Sequence, residues 1–138
     1  MLDDLAVLKQ RLLDMSSQAE SLIALAVDAI LQRDADTAQA VIDADEELDR
    51  LEVEIENQAI AMLALQQPMA RDLRFLVGAI KISADLERVG DHAVNLAQSA
   101  ERLAEARAIT PEPEIVVMAR LSREMLTDAL EAFIRGDA

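Results

Sequence analysis

Residues 5–29 read LAVLKQRLLDMSSQAESLIALAVDA, with apolar side chains at Leu5, Leu8, Leu12, Met15, Ala19, Leu22, Ala26 and Ala29. The steps alternate between three and four, which is the period of an amphipathic helix carrying a narrow, coiled-coil-like seam. Such a helix hides its seam only against other helices, so the stretch predicts a bundle. Composition points the same way. Of 138 residues 52% are hydrophobic, enough for a sizeable core, while Gly and Pro number three each and two Phe are the only aromatics. A chain rich in Ala and Leu and poor in turn formers and aromatics favours packed helices over β-sandwiches.

Working outward, the first helix is expected to end near Arg33, where Asp34-Ala35-Asp36-Thr37 supplies capping side chains for a second. The second runs to about Leu65, with Val41, Leu48, Ile55 and Met62 one heptad apart. Beside that seam the line Ala38, Ile42, Asp45, Asp49, Glu52 starts apolar, turns acidic, and becomes apolar again at Ala59 and Leu63. Gln66-Gln67-Pro68 closes this helix, since proline disfavours helical geometry in the residue before it and is suited to the first turn of the next helix. A third helix, with Asp72 in its first turn, continues to about Arg107 along the stripe Leu73, Val77, Ile80, Ala84, Glu87, Asp91, Val94. Here too acid interrupts an apolar line.

Two prolines within residues 109–114 mark a linker, and Thr110-Pro111 is the expected start of a fourth helix. That helix repeats the first: DAILQRDA at 28–35 answers EAFIRGDA at 131–138, and the seam carries over onto Ile115, Met118, Ser122, Met125, Ala129 and Ala132. The expected organisation is a three-helix repeat over 1–107, a linker at 108–114, and the first helix of a second repeat over 115–138. The fold class is all-α, an antiparallel three-helix bundle plus a fourth helix. A repeat unit cannot bury its apolar face alone. The fourth helix therefore closes the bundle, joins a neighbouring chain, or belongs to a longer protein.

The formal charge of -14 opposes nucleic acid and anionic lipid as partners. With no cysteine there are no disulfides, thiolate metal sites or thiol catalysis, which fits a reducing compartment. No apolar run reaches the roughly 20 residues of a membrane span, and the start Met-Leu-Asp-Asp lacks the features of a signal peptide. A cytoplasmic protein is expected. Nucleophilic chemistry finds no serine beside a usable base and no glycine-rich phosphate loop, so no enzyme is expected.

The chemistry lies in carboxylates. If the second and third helices form a hairpin centred on Pro68, positions equidistant from it lie opposite one another, which pairs Asp45 with Asp91 and Asp49 with Glu87. Residues four apart share a helix face, so two acidic pairs meet at one level. Converging carboxylates repel, and either raise one another's pKa or hold a cation. All-oxygen ligation favours hard ions such as iron(III), manganese, magnesium or calcium. Gly90 allows another helix or a ligand to come close. The plainer alternative is that these acids form a solvated helix face. His92, one residue past Asp91, is expected at the surface, and Arg74 and Arg88 are expected as salt-bridge or surface residues.

The segments QPMARDLR at 67–74, Lys81 and LERVGDHAVNLA at 86–97 resemble the PhoU family of phosphate-signalling regulators, and the similarity extends over essentially the whole chain. The resemblance implies two three-helix repeats, each with Glu/Asp-x-x-x-Asp motifs on its second and third helices that bind metal ions or multinuclear iron clusters. It places Asp45 and Asp49 as one motif and Glu87 and Asp91 as the other, with Glu52 and Asn95 in supporting positions. It implies a hard metal cofactor (iron, manganese or magnesium), and negative regulation of phosphate uptake by coupling a phosphate ABC transporter ATPase to a sensor histidine kinase. Contact with the membrane would come only through those partners. The second motif pair is absent from this sequence, and the uncovered seam of the fourth helix favours a homodimer or higher oligomer. The alternative function is a metal-free helical oligomerisation module. A hydrolytic metalloenzyme ranks third, since no base or open coordination position is visible.

Overall fold

The computed structural model describes residues 2–105 and 113–136. Four helices follow in order: α1 over Leu2–Gln32, α2 over Ala35–Gln66, α3 over Ala70–Glu105 and α4 over Pro113–Arg135. The expected end at Arg107, most of the linker and the Thr110-Pro111 start lie outside the described residues. As described, α4 is helical from Pro113.

The turns follow local chemistry. Arg33 takes a left-handed conformation (φ 54°), and the Asp34 N–H reaches back to the Ala29 carbonyl at 3.1 Å, a Schellman-type close to α1. Asp34 then caps α2, accepting from the Asp36 and Thr37 N–H groups at 3.0 and 3.3 Å and from Thr37 Oγ1 at 2.8 Å. At the other end Gln67 is left-handed (φ 43°) and stops α2. Pro68 does not open α3 as its position suggested. The helix starts two residues later, at Ala70, with the Leu73 N–H donating to the Met69 carbonyl at 2.8 Å.

All eight seam positions of α1 are buried, and they face Ala38, Val41, Leu48, Ile55, Ala59 and Met62 of α2. Polar side chains fix the antiparallel register. Arg11 donates to Gln58 Oε1 at 2.5 Å, Gln58 to the Asp4 carbonyl at 3.1 Å, and Gln66 to Asp4 Oδ2 at 2.6 Å.

Two expected stripes are corrected. On α3 the buried line is Leu76, Ala79, Ser83, Leu86, Gly90, Ala93, Ala97 and Ala100, one residue away from the expected line. Leu73 and Val77 are 42% and 39% exposed. Small side chains let α3 settle close against α1 and α2, and that packing outweighs the larger apolar surface of the neighbouring stripe. The hydroxyl of buried Ser83 is satisfied by the Ile80 carbonyl at 2.8 Å. On α4 the expected seam points outward, with Met118 65% and Met125 71% exposed. The helix packs on α1 through the line one residue further on, where Leu130 is buried, Leu126, Phe133 and Ile134 are half-buried, and Thr127 hydrogen-bonds to Glu20.

Candidate metal centre

α2 carries a seam of its own in steps of three and four: Ala38, Val41, Asp45, Leu48, Glu52, Ile55, Ala59, Met62. Asp45 and Glu52 therefore stand in core positions, half-buried, while Asp49 lies beside them and is exposed. On α3 the acids do not occupy the buried line. Glu87 and Asp91 flank it, next to Leu86 and Gly90, with Glu87 half-buried and Asp91 exposed. It is on α2 that acid breaks into the core.

The hairpin brings the two sets together. Asp49, Glu52 and Glu87 each place a carboxylate oxygen within 4.8 Å of the others. Oxygens on opposite sides of a hard cation stand roughly 4 to 5 Å apart, so this trio is within coordinating range. Asp45 and Asp91 raise the charge one turn away, for Asp91 pushes up the pKa of both Asp45 and Glu52. Gly90 makes the approach possible: a β-carbon there would stand 2.7 Å from Asp45 Oδ1 and overlap Leu48 Cδ2.

Burial is the leading cause at each raised carboxyl. It lifts Asp45, with Asp49 and Asp91 adding repulsion, and Glu52, with Glu56, Asp49 and Asp91 adding theirs. Glu87 is raised to about 7 by burial, by a hydrogen bond and charge from Asp91, by the charge of Glu52 and by a hydrogen bond with Asp49. Among the described residues no basic side chain counters these shifts. The arginines adjacent in sequence turn elsewhere: Arg50 pairs with Glu47 and Glu54, and Arg88 with Asp85. Asp45 Oδ1 is buried without a hydrogen-bond partner. A buried carboxylate oxygen among like charges is relieved by a proton, as its raised pKa reflects, or by a cation.

Of the residues singled out from sequence, Asp49 and Glu87 meet as the arithmetic about Pro68 implies, and Asp45 couples to Asp91. Glu52, given only a supporting place, belongs to the tightest trio. Asn95 is exposed, its side chain makes no hydrogen bond among the described residues, and its carbonyl accepts from Ser99 Oγ at 3.1 Å. His92 is exposed, as its position implied.

Fold and cluster together define an all-helical bundle with a carboxylate site shared by two antiparallel helices. The sequence model described as the PhoU domain matches residues 12–100, and the chain belongs to the PhoU family. It is 43% identical over 136 residues to a protein of Caulobacter vibrioides and 39% identical over 129 residues to one of Aquifex aeolicus, both named phosphate-specific transport system accessory protein PhoU homolog. These alignments cover 98% and 94% of this chain and 59% and 58% of the relatives. Among solved structures, PhoU from Pseudomonas aeruginosa superposes with a TM-score of 0.88 at 32% identity, over 96% of this chain and 64% of that one. The phosphate transport system regulatory protein PhoU from Streptococcus pneumoniae does so with a TM-score of 0.84 at 30% identity, over 93% and 60%. The chain thus spans about three fifths of the length of these relatives. Among the described residues no helix is long and apolar enough to cross a membrane.

Proposed function

We propose that the chain is a cytoplasmic, metal-carrying regulatory module of phosphate uptake. In this reading it acts as an adaptor between the ATPase of a phosphate ABC transporter and a sensor histidine kinase, and restrains both when phosphate is plentiful. The names of its relatives support the connection to phosphate transport. The observation that carries the metal is the convergence of Asp49, Glu52 and Glu87 beside the orphaned Asp45 Oδ1. Asp45, Asp49, Glu52, Glu87 and Asp91 would hold a hard cation such as iron, manganese or magnesium, singly or as a cluster. A bound cation would neutralise the repulsion and cross-link α2 to α3. The carboxylates belong to rigid helices, so the site stabilises and shapes a surface, a regulatory role rather than a catalytic one.

Elemental analysis of the purified protein, with melting measured in chelator and in manganese or iron, tests the metal. Binding to the folded state alone must raise stability by mass action. No bound metal and no shift in melting would remove it. Capture of the transporter ATPase and the kinase at high and low phosphate tests the adaptor role, and no capture in either condition would end it.

A second reading, a metal-free oligomerisation module, draws on the outward apolar face of α4, where Leu121 lies 47% exposed between Met118 and Met125. Sedimentation of the metal-stripped chain distinguishes it: a stable oligomer with no metal response favours this reading.

A further inference from the structure

Positive charge collects at one end of the bundle, away from the carboxylate cluster. The last turn of α4 leans on the start of α3, where Phe75 and Phe133 stack with centroids 5.1 Å apart and 16° between planes. Gly78 lets the ring come this close, since a β-carbon there would stand 2.8 Å from Cε2 and Cζ of Phe133 and the ring would have to shift. Between α1, α3 and α4 this leaves a cleft of about 550 Å³ whose walls include Lys9, Arg71, Arg74 and Arg135. Asp72 is the acid among its lining residues.

Four of the thirteen basic residues of a chain with net charge -14 thus share one concavity. Three arginines elsewhere pair with acid on their own helix, Arg50 with Glu47 and Glu54, Arg88 with Asp85 and Arg120 with Glu124, while Arg11 and Arg102 bond to the neutral side chains of Gln58 and Ser99. Among the described residues Lys9, Arg71 and Arg74 have no such ion pair. Lys9 Nζ lies instead over the Phe75 ring, 5.3 Å from its centroid. Lys9, Arg71 and Arg74 thus bring like charge to one concavity lined by a single acid, Asp72, an arrangement that an anion would complement.

We propose that this cleft binds a small anion with two or more linked phosphoryl groups. Arginine forks match phosphoryl oxygens two at a time, and Arg71 and Arg74 stand on the first two turns of α3, whose free N–H groups add positive potential. The volume lies in the range of small-molecule sites, about 300–1,000 Å³, and exceeds what one orthophosphate fills. Cations converging from three helices on a concave floor suit a compact ligand better than an extended acidic peptide. Nucleoside triphosphates and short inorganic polyphosphates share this chemistry.

The test is calorimetric titration of the whole chain, in chelator so that no metal bridges ligand and carboxylates, with tripolyphosphate, ATP, orthophosphate and a penta-glutamate peptide. Tripolyphosphate is expected to bind at least tenfold tighter than orthophosphate. The double variant Arg71→Gln/Arg74→Gln, both exposed positions, is expected to weaken it at least tenfold at unchanged helicity. Arg102→Gln, which removes one positive charge at the far end of α3, is expected to leave it unchanged, and Arg71→Gln alone, the single-charge match, to weaken it. Tighter binding of ATP assigns the site to nucleotides, and equal or weaker binding assigns it to free polyphosphate. Absence of tripolyphosphate binding, an equal loss in Arg102→Gln, or tighter binding of the peptide would overturn the proposal.

Discussion

Gly90 of α3 lies against Asp45 and Leu48 of α2, so closely that a β-carbon at position 90 would overlap Leu48 Cδ2 and meet Asp45 Oδ1 at 2.7 Å. Alanine is the better helix former by about 1 kcal/mol, and on propensity alone Gly90→Ala would stabilise α3. Leu48 is fully buried, however, so that shifting it displaces packed neighbours. Overpacking of that kind costs about 1–3 kcal/mol. Gly90→Ala is therefore expected to lower stability by about 1 kcal/mol net and to weaken metal binding by spreading α2 from α3. Thermal melting and metal titration check both, and a variant as stable as the parent would show that the helices have room to spare.

Glu87 ties stability to pH. Burial and the neighbouring acids push its carboxyl up to about 7 from an ordinary value of 4.5, so the folded chain holds that proton more tightly than the unfolded chain does. The cost of ionising Glu87 is absent below about pH 4.5 and grows as pH rises from there to 7. Asp45 and Glu52 shift in the same direction. In chelator the melting temperature is expected to fall between pH 5 and pH 8, and Glu87→Gln is expected to flatten that slope. A hard cation competes with the protons and should restore stability at pH 8 in the parent more than in the variant. A melting temperature that rises over this interval in chelator would contradict the assignment.

α1 was legible because every seam position is filled by Leu, Met or Ala and answered by a partner. The α3 seam was not, because Ala79, Ser83, Gly90, Ala93, Ala97 and Ala100 carry little hydropathy, while Leu73 and Val77 beside them carry more. What decides is how closely helices can approach, which no single helix encodes. The pairing of Asp49 with Glu87 could be read from the chain since two long helices joined at Pro68 must meet at equal distances from the turn. The rank of Glu52 was also open to reading: the steps Ala38, Val41, Asp45, Leu48, Glu52, Ile55 place it on the α2 seam. The basic cleft was not, for its residues lie on three helices and form no local pattern.

Phe133 is one anchor of α4. The connected core is built from α1, α2 and α3, and α4 meets it through half-buried Leu126, Phe133 and Ile134 with Leu130 buried among them. Elements with few buried contacts open independently of the rest. Phe133→Ala removes a half-buried ring, worth about 1–2 kcal/mol against the 3–5 of a fully buried Phe. Amide exchange in α4 is expected to quicken about tenfold, as about 1.4 kcal/mol implies, with α1 to α3 little affected. A uniform acceleration across all four helices would mean that α4 belongs to the same cooperative unit.

Leu76 and Val77 are neighbours on α3 with opposite fates: Leu76 is fully buried and Val77 is 39% exposed. The hydropathy stripe through Leu73 and Val77 and the packed stripe through Leu76 and Ala79 make opposite demands on this pair. Leu76→Ala leaves a cavity between helices and is expected to cost about 2–5 kcal/mol. Val77→Ala exchanges a partly solvated side chain for a better helix former, and is expected to change stability by no more than about 0.5 kcal/mol. Denaturant unfolding of the two variants side by side reads the register directly. Equal losses would rotate α3 back toward the stripe that sets Glu87 and Asp91 in the core, and reversed losses would put them there.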